Sequence, residues 1–204
     1  MAKPHETRDR LLQAAADLIW TSSYHATGVD RICEVAEVNK GSFYHHFASK
    51  EELAVAAIEE QWTHLKPRVD EVFSPANAPL ERLAKYARMT IEMQREKHAK
   101  TGCVCGCPLY ALGSEVGTHA PALQHKIQAL MEIKLRYLVS TLREAHAAGE
   151  IVAPDPARSA QLLMDVTEGV LMRARITNTH APLEHLEETL FGVLGLAPAA
   201  KPRA

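Results

Sequence analysis

Residues 27–53 read TGVDRICEVAEVNKGSFYHHFASKEEL, and their spacing decides the fold. Ile32, Cys33 and Ala36 fall at helical intervals behind Thr27, the expected cap of a short helix. Asn39 is suited to cap the next helix, which turns Phe43 and Phe47 inward. Ser49 followed by Glu52 makes a capping box for a third, carrying Leu53, Ala57, Ile58 and Trp62. Two short helices joined by a brief turn, the second rich in Ser, Tyr and His, match a helix-turn-helix. The residue types suit contact with a duplex. Gly41 allows close backbone approach, and Lys40 and Lys50 can meet phosphates. Ser42, Tyr44, His45 and His46 present donors and flat rings to base edges or backbone. Charge adds nothing to this reading, because residues 1–50 hold six Lys/Arg against six Asp/Glu.

Outward from that stretch the helical pattern continues. The chain has 204 residues, 47% of them apolar and only 5% aromatic, enough for a sizeable core in one ordinary domain or a small module on a larger body. A net charge of −2 argues against a generic polyanion binder, although a local patch can still touch phosphates. Leu11, Ala15, Leu18 and Ile19 share one face of a first helix. Pro67 is expected to kink or shorten the helix that begins near Ser49. SPANAP, residues 74–79, is a breaker, followed by an amphipathic helix through Leu80, Leu83, Ala84, Ala87 and Ile91. The pattern breaks again around Gly102–Gly106, and Pro108 suits the first turn of a short helix ending near Gly117. A long helix through Leu123, Ile127, Leu130, Leu138 and Leu142 should stop at Gly149. Asp155 and Pro156 open another, and Leu183–Leu194 forms the last. The expected class is all-α. No apolar run reaches the roughly 18 residues a membrane span needs. The N-terminus lacks a secretory signal, so the expected compartment is the cytoplasm, where thiols stay reduced.

KGSFYHHF followed by SKEEL resembles the DNA-binding motif of TetR-family transcriptional regulators. The likeness spans about fifty N-terminal residues, and the helical remainder agrees with that family's regulatory region. It implies a helix-turn-helix domain over residues 1–50, a ligand-binding and dimerisation bundle over 51–195, and a loose tail over 196–204. It further implies that Thr27 and Lys50 hold phosphates while Lys40, Gly41, Ser42, Tyr44 and His45 lie in the major groove. Tyr86, Met89, Met93, Tyr110, Met131, Tyr137, Met164 and Glu168 would sit on helices that line an inducer cavity. The implied function is a repressor that binds double-stranded operator DNA as a homodimer and leaves it on a small-molecule or reactive signal. Glu37 stands where the family commonly has Gly, and Asn39 where it has Ser.

KTGCVCGCPLY, residues 100–110, contains three of the four cysteines, on alternate positions. The family carries a Gly-Cys before an apolar helix here, which gives Cys107 a packing role; Cys103 and Cys105 go beyond it. Three readings stand. Cys107 at a helix N-terminus is a reactive thiolate, with a second thiol two residues away to resolve it. Alternatively the three sulfurs bind a soft metal ion, which would make the chain a metal-responsive regulator or a metal-handling helical protein. In the third reading all three cysteines only pack. The spacing differs from the C-x2-C of common zinc sites, so no metal site is assigned. No Ser-His-Asp set, phosphate loop or carboxylate pair has a convincing context, so neither catalysis nor a cofactor is expected.

Overall fold

The computed structural model describes residues 4–117 and 119–196, with side chains from Glu6 onward. Those residues form nine α-helices and one 3-10 turn, with no strand among them. The helices are α1 (Pro4–Thr21), α2 (Val29–Val35), α3 (Lys40–His46), α4 (Lys50–Val72), α5 (Pro79–Thr101), α6 (Pro108–Val116), α7 (Pro121–Ala147), α8 (Pro156–Thr177) and α9 (Leu186–Val193). They make two compact units. The first contains residues up to Pro67 together with Pro108–Leu130, and the second Arg68–Cys107 together with the chain from Met131 onward.

In the first unit Leu11, Leu12, Ile32, Phe43, Leu53 and Leu123 are fully buried. Each such side chain contributes about 1.5–3 kcal/mol by leaving water. The local signals work much as the sequence implies. Asn39 Oδ1 accepts the Ser42 N–H at 2.8 Å and starts α3. Ser49 Oγ accepts the Glu52 N–H at 3.1 Å, and the Glu52 carboxylate accepts the Ala48 N–H at 2.7 Å, so a capping box starts α4. Thr27 is a correction. The N-cap of α2 is Gly28, without a side-chain bond, and the buried Thr27 hydroxyl donates to Ser23 O at 2.7 Å. Pro67 does not end its helix, since α4 runs on through it to Val72. Its fixed φ is already helical, and the carbonyl it leaves unbonded belongs to Thr63, an exposed residue that water can reach. Pro67 instead marks where the first unit ends.

The turn between α2 and α3 is a Schellman motif: Glu37 N–H donates to Glu34 O and Val38 N–H to Cys33 O. Its left-handed position is filled by Glu37, at φ 54°. Arg10 Nη2 donates to the Glu37 carbonyl at 2.8 Å and holds the turn to α1.

In the second unit α5 and α8 both pack against α9. Leu83, Leu138, Leu142, Leu163, Leu183, Leu186 and Leu190 are fully buried. Arg82, also buried, donates to Asn77 O at 2.9 Å and pairs with Glu144 at 2.8 Å, joining α5 to α7. Asp155 caps α8 by accepting the Arg158 N–H. The final helix begins later than its sequence suggests. Pro182 sits in a 3-10 turn over Ala181–Leu183, and α9 starts at Leu186. Of the expected tail, residues 197–204 lie outside the described residues.

Candidate DNA-binding and signal-sensing sites

The exposed face of α3 is built from Lys40, Gly41, Tyr44 and His45, with Ser42 half-buried beside them. Phe43 is the buried anchor that orients the helix, and Tyr44 packs edge-on against it at 5.1 Å. Tyr44 is 57% exposed, an unusual position for a large ring. Gly41 has a local role: a Cβ there would lie 3.1 Å from Asn39 Oδ1, so glycine keeps the cap unobstructed.

The two lysines differ. Lys40 is exposed and pairs with Asp30 at 2.6 Å; its hydrogen bond to that carboxylate raises its pKa. Lys50 donates to Tyr24 O at 2.9 Å and Thr27 O at 3.1 Å, and its ammonium lies 4.2 Å from the centre of the Tyr24 ring. Burial lowers its pKa, with Glu115 opposing. It ties the segment before α2 to the start of α4.

In the second unit three groups meet. Lys134 on α7 forms an ion pair with Glu168 on α8, and its ammonium lies 5.7 Å from the centre of the Tyr86 ring on α5. Burial works against charge on Lys134, but Tyr86, Glu168 and Cys107 together hold its pKa well above the usual lysine value. Burial pushes the Tyr86 hydroxyl up, against the pull of Lys134. The cluster is therefore a charged lysine, its carboxylate and a neutral phenol. Tyr86 and Glu168 are only 3% and 4% exposed. Neither Tyr86 Oη nor Glu168 Oε2 has a hydrogen-bond partner. Phe73 stacks between Tyr86 (5.7 Å) and Tyr137 (5.0 Å). The Tyr137 hydroxyl turns away to Asp70; burial and that bond push its pKa up to about 12. Met89 and Met164 are buried, Met93 and Met131 half-buried. Tyr110 belongs to the other unit.

Lys134 escaped the sequence reading, although a signal was present. It stands four residues after Leu130 and four before Leu138, both buried, so a lysine interrupts an apolar stripe.

The cysteine loop is held from both sides. Gln94 exchanges two bonds with the Gly106 backbone, at 2.9 and 3.0 Å. Arg175 donates to Cys105 O at 2.8 Å, and Asn178 Oδ1 accepts the Val104 N–H at 2.9 Å. Gly106 adopts φ 67°, and a Cβ on it would press on Leu171 O and the Arg175 side chain at 3.3 Å. Cys103 is exposed, Cys105 buried and Cys107 half-buried, all as thiols. Cys107 packs beside the cluster of Val104, Leu171, Ala174 and Leu183. It is also the last residue before the chain passes into the first unit at Pro108. Among the described residues no three His, Cys, Asp or Glu side chains converge as metal ligands. No described helix is long and apolar enough to cross a membrane.

Comparison with known proteins agrees with this architecture. Residues 11–57 match the family described as bacterial regulatory proteins, tetR family, and residues 79–190 match the tetracyclin repressor-like C-terminal domain. The chain belongs to the TetR family: it is a DNA-binding transcriptional regulator of a non-enzymatic family, responsive to ligands as that family is. Among its relatives, the transcriptional regulator AcuR of Cereibacter sphaeroides is 32% identical over 184 residues, 89% of this chain and 82% of that one. The HTH-type transcriptional repressor NemR of Escherichia coli is 27% identical over 187 residues, 89% and 90% of the two chains. The crystal structure of the regulatory protein TetR from Rhodobacter sphaeroides superimposes with a TM-score of 0.78 at 32% identity, over 89% of this chain and 95% of that one. That of E. coli NemR in its reduced form shares the fold, with a TM-score of 0.78 at 23% identity over 95% of this chain and 100% of that one.

Proposed function

We propose that this regulator is a homodimeric repressor released from its operator when Cys107 is modified by an electrophile or oxidant. The observation that carries the reading is the setting of Cys107. It is half-buried where the chain leaves the regulatory unit, follows a loop held by Gln94, Arg175 and Asn178, and lies in the field of the Lys134 ammonium. A cation beside a thiol favours the nucleophilic thiolate. An adduct on the half-buried sulfur would press on the Val104, Leu171, Ala174 and Leu183 cluster beside it, disfavouring the DNA-binding arrangement and shifting the population away from it. The description of the NemR crystals as a reduced form is consistent with redox chemistry in that relative. DNA recognition uses the exposed face of α3, with Lys40, Gly41, Ser42, Tyr44 and His45, while Thr27 and Lys50 support it from within the domain.

The test is a gel shift with reduced protein, then with N-ethylmaleimide or hydrogen peroxide. Cys107→Ser should bind the operator and resist release; the exposed Cys103→Ser should be released like the natural protein. Full release of a variant with serine at positions 103, 105 and 107 would overturn the reading.

A second signal is supported by the two unpartnered buried oxygens of Tyr86 and Glu168. The regulatory unit takes a small-molecule inducer among these residues and Met89, Met93, Met131 and Met164, and the metal-responsive alternative has no comparable observation behind it.

A further inference from the structure

We infer that Tyr86, Lys134 and Glu168 recognise an uncharged ligand that carries a hydrogen-bond donor next to a carbonyl, of which a primary carboxamide is the simplest member. This rests on the reading that the regulatory unit binds a small-molecule inducer, and it names that molecule's chemistry.

The argument begins with the two oxygens that lack partners. An unsatisfied polar atom inside a protein costs roughly 1–3 kcal/mol, and here two occur on residues of one cluster. Glu168 Oε2 can only accept a hydrogen bond, because the carboxylate paired with Lys134 carries no proton to donate. The Tyr86 hydroxyl lies near Lys134 and Thr167 but makes no well-aligned hydrogen bond to either, so its O–H remains available to donate. A molecule that satisfies both sites while using the Tyr86 proton offers an N–H or O–H to Glu168 and an acceptor, such as a carbonyl oxygen, to Tyr86.

Charge narrows the class. Lys134 and Glu168 neutralise each other. A carboxylate ligand would have to displace Glu168 from Lys134 and leave it buried without a counter-ion. An ammonium ligand would do the same to Lys134. Either is costly beside a carboxylate and a phenol this buried, and a neutral donor–acceptor group avoids both.

The surroundings can yield. Each polar residue has a methionine one helical turn away on its own helix: Met89 for Tyr86, Met131 for Lys134, and Met164 for Glu168. Unbranched thioether side chains repack more readily than Leu or Ile, so an apolar tail can be admitted around a fixed polar point.

The test compares butanamide, butanoate and butylammonium, short-chain compounds with neutral, negative and positive head groups, by NMR titration and thermal shift of the full chain at neutral pH. Butanamide should bind and raise Tm, with butanoate and butylammonium at least tenfold weaker. Tyr86→Phe should weaken butanamide by about tenfold, the loss of one hydrogen bond. Glu168→Gln removes the counter-ion of Lys134 and should reverse the order, so that butanoate binds best. If Glu168→Gln fails to fold, Tyr86→Phe decides. The inference is overturned if butanoate or butylammonium matches butanamide on the natural protein, if none of the three binds, or if Tyr86→Phe leaves butanamide unaffected. A gel shift on the same protein keeps the regulatory reading separate. Butanamide binding without operator release would overturn the inducer role and leave the recognition chemistry standing.

Discussion

Lys40 stands on the open face of α3 with Asp30 as its partner, whereas Lys50 is drawn inward onto two carbonyls and a ring. An exposed ion pair contributes little to stability, so a DNA phosphate can replace Asp30 at small cost. Lys40→Ala should therefore leave the melting temperature unchanged and weaken operator binding, lowering the slope of log affinity against log salt by about one. Lys50→Ala should behave differently. Two charge-assisted bonds disappear from a partly buried site, and the first unit should lose about 1–3 kcal/mol in urea titrations, with DNA binding falling as a consequence. Equal stability of the two variants would contradict these separate roles. Tyr44→Ala completes the residue-level set: its exposed ring contributes little to the core, so operator affinity should drop with helical content intact.

At the scale of the element, the turn from α2 into α3 combines a good choice with a strained one. Asn39 caps α3 through the Ser42 N–H, and Asn39→Ala should cost about 1 kcal/mol. Glu37 occupies the left-handed position of the Schellman turn, which disfavours any residue with a Cβ. The hydrogen bond from Arg10 goes to its backbone carbonyl, so a substitution at 37 preserves it. Glu37→Gly should raise stability by up to about 1 kcal/mol, since relief of the φ strain outweighs the extra freedom glycine gives the unfolded chain. Opposite signs for neighbouring substitutions in one turn are the measurable outcome, read from urea midpoints at constant m-value.

At the scale of the whole molecule, the proposed homodimer requires a face that the single chain leaves uncovered. Leu163 on α8 and Leu190 on α9 are fully buried within one chain. Charge at either would damage folding and report nothing about assembly. Leu162 and Ile176, both on α8, are 50% and 76% exposed and lie about four turns apart. Leu162→Glu with Ile176→Glu should leave the melting of the monomer fold intact and shift the protein from dimer to monomer in analytical ultracentrifugation. Operator affinity should fall steeply in the same variant, because each recognition helix reads only a half-site. A dimer that persists in the double variant would move the seam elsewhere.

The amino-acid sequence alone determined the helical class and the α2–α3 motif, because both rest on local physics. Apolar spacing, the Asn39 cap, the Ser49–Glu52 box, and glycines at 102, 117 and 149 act within a few residues of where they stand. It also carried the family, through KGSFYHHF. Two local signals had more than one solution. Thr27 could cap a helix, but a carbonyl at Ser23 took its hydroxyl. Pro67 could end α4, but solvent can satisfy the carbonyl it orphans. The Tyr86–Lys134–Glu168 cluster joins residues from α5, α7 and α8 that are far apart in the chain. A lysine on an apolar stripe can be seen in the sequence; the carboxylate and phenol that make it bearable there appear only when three helices pack, because the interaction of buried charges is set by distance and burial and not by order along the chain.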